Sequence, residues 1–338
     1  MADRRATDGL RPRHLVRVVV LFGLLAVASV IAAALFGPTG LDVPRFLRGE
    51  GSALDHFKVF EVRLPKALAA LLVGSALSAA GATFQALLHN PLASPYILGV
   101  SAAGSLGAVI ALLTGAVSLL FPAAFVGCLF AIALVLFVSR RNGVIDPHTL
   151  LLTGVVVNAF FSACILFLTL MSPDSRTQHV LHWLVGGLRD LYDPALLLVA
   201  SGVIMALLLA LVFLGRALNV LLLGEDAAAG LGVPVHRLRL WCFLLASFLT
   251  AVAVSLAGPI GFVGLIIPHI ARAMVGPDHR VLIPAAALLG GAFLVVADTA
   301  GSSLFATPLP VGVLTAFLGA PFFVWILKRG PSFGGRSP

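Results

Sequence analysis

The chain has 338 residues, of which 60% are hydrophobic and only 11% are charged, and its mean hydropathy is +1.08. A soluble domain of this size would carry far more surface charge, so the composition excludes one and predicts an all-α polytopic membrane protein. The net charge of +8 does not indicate nucleic-acid binding, because the basic residues lie in short loops between apolar segments.

Ten apolar segments follow one another along the chain, each near the roughly 20 residues that cross a bilayer core of about 30 Å. The first is too long for a signal peptide, so we interpret it as a retained helix. Cys128, Cys164 and Cys242 lie inside apolar segments and are interpreted as small buried side chains. The segments are at about 15–36, 64–88, 93–112, 117–139, 149–171, 193–214, 239–257, 262–275, 281–297 and 311–327.

A polar break, QALLHNPLASPYILGV from Gln85 to Val100, separates the second and third segments. Irregular backbone at membrane depth persists only where protein or a water-filled cavity satisfies it, so this break suggests a path for a solute. A similar break, GPIGFVGLIIPHIAR, begins at Gly258. The pair indicates an inverted repeat, with halves at about 64–171 and 239–327 and the pathway near their interface. Chance similarity between two Gly- and Pro-containing breaks is the alternative.

The distribution of basic residues predicts the orientation of the segments. With the N-terminus inside, 15 of the 22 lysines and arginines fall on the cytoplasmic side. The positive-inside rule therefore favours two cytoplasmic termini. We predict a tail at 1–14, one transmembrane domain at 15–328 and a second tail at 329–338.

The ionisable residues and motifs limit the chemistry that the chain can perform. None of the 14 carboxylates lies in the middle of a predicted segment, whereas proton- or sodium-coupled carriers usually need such a group. The sequence has no Walker-type phosphate loop and no HExxH, CxxC or GxSxG motif. Uphill transport would therefore need a partner that hydrolyses ATP. A secondary carrier acting alone and a non-transporting structural or receptor subunit are the competing hypotheses.

Two regions outside the segments are candidate partner surfaces. The longest cytoplasmic loop, about 215–239, contains LGEDAAAGLGV from Leu223, which favours two short helices joined by glycines. Such helices dock in grooves on other proteins, although an ordinary surface loop has the same composition. On the outer side, Arg63 and Lys66 either pair with carboxylates of a soluble partner or extend toward the membrane interface.

Several stretches resemble the FecCD/BtuC-type permeases, the membrane subunits of ABC importers for iron-siderophore complexes, haem and cobalamin. They include RLPKALAALLVGSALSAAGATFQALLHNPLASPYILGV from Arg63, LGEDAAAGLGV from Leu223 and AGPIGFVGLIIPHIARAMVGPDHR from Ala257, and the resemblance covers the chain from about residue 60 to its end. It implies a BtuC-like ABC type II importer permease with ten helices, multi-pass in the bacterial inner membrane. A second permease copy, identical or closely related, two cytoplasmic ATP-binding-cassette ATPases and an extracytoplasmic substrate-binding protein are the implied partners.

The resemblance also implies a function without catalysis by this chain. Two permeases would form the channel for an iron(III) complex such as a ferric siderophore, with haem and cobalamin as alternatives. The chain itself would bind no cofactor and no metal, since ATP and magnesium belong to the ATPases. His269 is interpreted as a structural hydrogen-bonding residue, because a lone histidine without a second ligand seldom holds a metal.

The resemblance assigns four groups of residues. In a second region where relatives dock the binding protein, they often carry an arginine where this chain has Ser302 and a glutamate where it has Pro308. These differences put docking of the binding protein at Ser302 and Pro308 in doubt. The implied cytoplasmic gate consists of Asn90, Pro91, Leu92, Pro147 and His148. The implied path along the fifth segment consists of Thr153, Gly154, Asn158 and Ser162, with a hydrogen bond to a neighbouring helix as the alternative role of Asn158. The implied ATPase-coupling residues are Gly224, Glu225, Asp226, Ala228, Gly230, Leu231 and Gly232, and the implied binding-protein contacts are Arg63 and Lys66.

Overall fold

The computed structural model describes residues 12–37, 40–141, 144–172, 174–305 and 307–328. Most of the predicted N-terminal tail and all of the C-terminal tail at 329–338 lie outside these residues. Ten apolar helices correspond in order to the ten predicted segments. They are α1 (Pro12–Leu35), α4 (Leu64–Leu87), α5 (Val100–Thr114), α6 (Leu120–Ser139), α7 (Pro147–Leu170), α9 (Pro194–Leu221), α11 (Val235–Ala257), α12 (Val263–Val275), α13 (His279–Ser303) and α14 (Val311–Lys328).

Shorter elements join these helices, and the all-α polytopic prediction is confirmed. Among the residues that the structure describes, seven apolar helices are long enough to cross a membrane, whereas α5, α12 and α14 are shorter. The described strands are β1 (Arg140–Arg141) and β2 (Val144–Ile145), which pair antiparallel just before α7. The remaining elements are α2 (Val43–Leu47), α3 (Ala53–Phe57), a π-helical turn (Lys58–Arg63), a 3-10 turn (Val117–Leu119), α8 (Asp174–Leu184) and α10 (Glu225–Gly230).

Carboxylates flank the apolar helices because three of them cap helix N-termini. The side chains of Asp146, Asp193 and Asp278 accept hydrogen bonds from backbone N–H groups in the first turns of α7, α9 and α13, at 2.7–3.0 Å. These bonds satisfy donors that the start of a helix leaves unpaired, and the negative charge complements the helix dipole. The same residues therefore mark where each span begins.

The centre of the fold consists of α4 packed against α11, α12 and α13. A methyl group added to Gly74 would collide with the carbonyl of Gly290 on α13, and one added to Gly81 would collide with the carbonyl of Gly264 on α12. Lipid tails are as apolar as leucine, so helices in a membrane associate through close van der Waals packing of small residues. The glycines and alanines of α4 provide that close approach.

Three predicted boundaries are wrong, and one helix was not predicted. The third helix begins at Val100 instead of 93, because residues 88–99 form turns and Gly99 has a left-handed φ of +75°. Helix α9 continues to Leu221, so the loop predicted at 215–239 is confined to 222–234. Helix α8 was not predicted as a segment, because its sequence DSRTQHVLHWL is too polar to resemble a span. Helix α13 continues to Ser303 and places Asp298 inside a spanning helix.

The two halves share an order of elements that agrees with the predicted inverted repeat. In each, a long central helix is followed by a break and then by a short helix whose preceding residue has a left-handed φ, +75° at Gly99 and +66° at Phe262. The non-helical part of the first break is longer, at residues 88–99, than that of the second, at residues 258–262. The division into halves at 64–171 and 239–327 stays a prediction.

Candidate functional site

The two breaks, which the sequence analysis predicted to be partners, are in direct contact. Gln85, near the end of α4, accepts a hydrogen bond from Nη2 of Arg272 at 3.0 Å and donates from Nε2 to the carbonyl of Leu265 at 3.2 Å. One amide thus binds the side chain and the backbone of α12. Because a glutamine amide both donates and accepts, it satisfies both polar groups in a setting with little water.

The Asn90–Leu92 turn of the first break has a fixed shape. The side-chain oxygen of Asn90 accepts a hydrogen bond from the backbone N–H of Leu92 at 2.9 Å, while the N–H of Asn90 donates to the carbonyl of Gln85 at 3.2 Å. Pro91 fixes the backbone between them. The preceding His89 has a φ of +47°, which is uncommon outside glycine. The Asn-Pro-Leu sequence therefore forms a defined turn at the end of α4.

This turn borders a cavity of about 540 Å³ at the α10 end of the helix bundle. Arg272 and His279 contribute to its wall together with Phe323 and Ile326 of α14. The predicted gate residues Asn90, Pro91 and Leu92 also line it, whereas the predicted gate residues Pro147 and His148 do not. The structure brings the first gate group to the cavity and leaves the second at the start of α7.

Helix α7 packs against the first break through its N-terminal half. A methyl group on Gly154 would collide with the Cα of Leu98, and one on Gly99 would meet the side chain of Val157. Among the four predicted path residues, burial decreases along the helix. Thr153 and Gly154 are buried, Asn158 is half-buried and Ser162 is exposed. The stripe of Gly154, Asn158 and Ser162 runs from the interior of the chain to its surface.

Helix α10 contains most of the predicted coupling residues. The predicted pair of short helices is wrong, since α10 is a single short helix followed by the start of α11. Gly224 and Gly232, with φ of +108° and +81°, form the turns on either side. Ala228 is buried and anchors the helix, whereas Leu231 is 67% exposed. The residues Glu225, Asp226 and Gly230 are exposed as well.

Arg63 and Lys66 are engaged within the chain at the opposite end. The Arg63 side chain is buried and donates to the carbonyl of Leu35 at the end of α1, at 3.0 Å. The Lys66 ammonium lies 3.0 Å from Asp190 and 3.8 Å from Asp298. Binding-protein docking through these two residues stays a prediction. In the second predicted docking region, the Ser302 hydroxyl donates to the carbonyl of Thr299, and Pro308 is exposed.

Sequence analysis missed a polar network where α9 meets α13. Nδ2 of Asn219 donates to Asp278 at 2.7 Å, and its Oδ1 accepts from the backbone N–H of His279 at 2.8 Å. Burial alone would raise the pKa of Asp278, but hydrogen bonds from Arg280 and Asn219 lower it below the ordinary value. Asn219 falls in the loop predicted at 215–239, and only the continuation of α9 to Leu221 makes it a polar residue of a spanning helix. The His269 ring lies edge-on to Phe322, with centroids 6.5 Å apart.

Comparisons with known proteins agree with this arrangement. The model of the FecCD transport family matches residues 20–329. The cobalamin import system permease protein BtuC of Halobacterium salinarum is 44% identical over 79% of this chain and 72% of its own length. The Fe(3+) dicitrate transport system permease protein FecD of Escherichia coli is 41% identical over 81% and 86%.

A solved structure of an ABC transporter assigned to the metal-chelate type, in an inward-facing conformation, has a similar fold. It superposes with a TM-score of 0.82 at 29% identity and covers 93% of this chain and 99% of its own. The sequence match and the structural match each extend over nearly the whole permease. The chain therefore belongs to the FecCD transport family and is a multi-pass permease subunit of an ABC importer, not an enzyme.

Proposed function

We propose that two copies of this chain form the inner-membrane channel for an iron(III) complex such as a ferric siderophore. Two ATPase partners on the cytoplasmic side, where both termini lie, bind ATP and magnesium and drive transport. A substrate-binding protein delivers the complex from outside. The observation that carries this proposal is the contact between the two breaks, where Gln85 binds α12 next to the Asn90–Leu92 turn and the cavity.

The gate role of the first break is supported by its position. Residues 88–99 contain turns instead of regular helix, and the Asn90–Leu92 turn borders the cavity. Helix α7 contacts the other end of the same break at Leu98. A movement of α7 would therefore reposition the break. Turns lack the continuous hydrogen-bond ladder of a helix, so they rearrange at lower cost.

The coupling role of α10 is supported by what it exposes. Leu231 and Leu223 are 67% and 68% exposed on the loop that contains α10. Exposed apolar side chains on a short helix suit insertion into a groove of another protein. Ala228 and the glycine turns hold the helix to α9 and α11 while leaving that surface free.

The cargo is proposed from similarity. The E. coli relative is named for Fe(3+) dicitrate, and the similar solved structure is assigned to the metal-chelate type. The H. salinarum relative is named for cobalamin, which makes cobalamin the second candidate and haem a third. The second copy is proposed because α7 exposes large apolar residues such as Phe160 and Phe167, which need a lipid or protein partner.

The proposal is tested by uptake into liposomes that contain the permease, its two ATPases and the binding protein. Labelled ferric siderophore, haem and cobalamin are supplied separately, with and without ATP. We expect ATP-dependent accumulation of the ferric siderophore. An ATPase variant that binds ATP without hydrolysing it is the control. Accumulation of cobalamin alone would contradict the cargo assignment, and uptake by the permease without ATPases would contradict the mechanism.

A further inference from the structure

Arg239, in the first turns of α11, is a charged residue that is almost completely buried. Its side chain is only 1% exposed, although Arg237, two residues earlier on the same helix, is exposed. Removing a guanidinium from water is unfavourable unless specific partners compensate for the lost hydration. The contacts that Arg239 makes therefore identify its role.

The guanidinium joins two parts of the chain that are far apart in sequence. Nη2 lies 2.5 Å from Oε1 of Glu225, the first residue of α10, and the pair is a charge-assisted hydrogen bond. Nη1 donates to the backbone carbonyl of Ile145 at 2.7 Å. Ile145 is the last residue of β2, and the next residue, Asp146, caps the N-terminus of α7. A single side chain thus holds α10 to the segment that leads into α7.

The connection continues from the start of α7 to the first break. Two turns into α7, Gly154 fits against the backbone of Leu98, so the helix and the break have no room to slide independently. Densely packed groups transmit displacement because they have no slack to absorb it. The chain of contacts therefore runs from α10 through Arg239 and α7 to residues 88–99.

We propose that Arg239 is the positioning residue that carries movement of α10 to α7. When an ATPase partner displaces α10, Glu225 pulls the guanidinium, and the guanidinium pulls the carbonyl of Ile145 and the N-terminus of α7. The proposal rests on the function proposed above and specifies which side chain links the ATPase surface to the gate. Within the described residues, the buried Nε of Arg239 has no hydrogen-bond partner, so the two Nη groups make the contacts that link α10 to the start of α7.

The first experiment compares Arg239→Met and Glu225→Gln with a single control, Arg237→Met, which changes an exposed arginine of the same helix. Each variant is assembled with its ATPases and binding protein in liposomes, and ferric citrate uptake and ATP hydrolysis are measured together. We expect Arg239→Met to keep the wild-type rate of hydrolysis while uptake per ATP falls about tenfold. The control Arg237→Met should keep the wild-type ratio.

A double variant, Glu225→Gln with Arg239→Met, sharpens this measurement. Because both changes break the same link, their effects on uptake per ATP should not add. Arg239→Lys keeps the charge but has no planar fork to reach both partners, so it should couple poorly as well. A proportional fall in hydrolysis and uptake would show a purely structural role and overturn the proposal, as would a wild-type ratio in Arg239→Met.

The second experiment does not depend on the cargo. Spin labels are placed on cysteines introduced at Leu166 of α7 and Val296 of α13, both exposed, after the native cysteines are replaced by alanine. Addition of ATP to the complex should change the distance between the labels in the wild-type background and leave it unchanged with Arg239→Met. Equal changes in both backgrounds would overturn the proposal. If no candidate cargo is transported but the ATP-dependent movement requires Arg239, the cargo assignment fails and the link stands.

Discussion

Helices α4 and α7 are both long and apolar, yet they are built for different surroundings. Of the 18 most apolar consecutive residues in the helical stretch Ala53–Leu87, which contains α4, 78% are buried, compared with 28% for α7. The buried positions of α4 are mostly glycine, alanine and serine, whereas α7 exposes phenylalanine, valine and leucine. Close backbone contacts with neighbouring helices of the same chain stabilise α4, whereas α7 presents its side chains to lipid or to another subunit. Two strongly apolar helices thus have different roles, since α4 forms the packed centre of the fold and α7 forms part of its outer surface.

The largest effect is expected where two backbones touch. Gly81→Val places side-chain atoms against the carbonyl of Gly264, which has no rotamer to change, so we expect a loss of at least about 3 kcal/mol in the free energy of unfolding. Yield of monodisperse protein and thermal unfolding in detergent measure it. Gly202→Ala on α9, where nothing lies within 4 Å, is the matched control and should be tolerated. Equal behaviour of the two variants would contradict the distinction between centre and surface.

A smaller loss is expected at the polar contact between the breaks. Gln85→Leu leaves the buried side of Arg272 and the carbonyl of Leu265 without their partners, which costs about 1–3 kcal/mol. Gln85→Glu retains an acceptor for Arg272 and should lose less stability. Thermal unfolding of both variants, measured in the same detergent, tests the order. If Gln85→Leu were as stable as wild type, this contact would not hold the breaks together.

The cap at the start of α7 should contribute less and should depend on pH. The backbone N–H and hydroxyl of Thr149 hydrogen-bond to the Asp146 carboxylate and lower its pKa, with His148 and Arg239 as nearby cations. Asp146→Ala should cost about 1 kcal/mol. Because the pKa of Asp146 is lower in the folded state than in the unfolded state, its charge stabilises the folded protein above the unfolded pKa of about 4. This contribution to the free energy of unfolding is lost as the pH falls through the folded pKa.

Asp146→Asn is the control for the charge, since asparagine also caps helices. The difference in unfolding temperature between wild type and Asp146→Asn should be constant near neutral pH and shrink as the pH falls below about 4. A difference that grows on acidification would have the wrong sign for a depressed carboxylate pKa.

The smallest change in stability is expected on the exposed surface of α7. Ser162→Ala should alter the free energy of unfolding by no more than about 0.5 kcal/mol. If Ser162 faces the channel, Ser162→Trp should lower uptake by about tenfold at unchanged stability, because a bulky side chain narrows the pore. Phe160→Trp, on the other side of the same helix and already large, is the control. Full uptake by Ser162→Trp would remove this residue from the path.

Hydropathy predicted the ten helices because each apolar run must match the bilayer, but it predicted less where other forces decide. The start of α5 depends on Gly99 and on turns that interrupt an otherwise apolar run. Helix α8 is polar enough to resemble a loop. The contact between the two breaks was anticipated from their similarity, whereas the hydrogen bonds of Gln85 required the three-dimensional packing.

Arg239 shows what the sequence contained and what was missed. In the stretch VPVHRLRL it looks like one of several basic loop residues. Once α11 is known to begin at Val235, the helical period places Val235, Leu238, Arg239 and Cys242 on one face, and all four are buried. A charge on the apolar face of a helix was the available signal. Its partners, Glu225 and the carbonyl of Ile145, come from other elements and follow only from the fold.

The glycine contact between α4 and α12 also determines where the protein bends. Backbone atoms that touch directly cannot yield by changing rotamer, so the contact between Gly81 and Gly264 is a rigid junction between α4 and α12. Conformational change is therefore expected in the turns at residues 88–99, which are not held by a regular helix. Amide hydrogens near the Gly81–Gly264 contact should exchange with solvent more slowly than those of the turns. The difference between the two exchange rates should increase during transport.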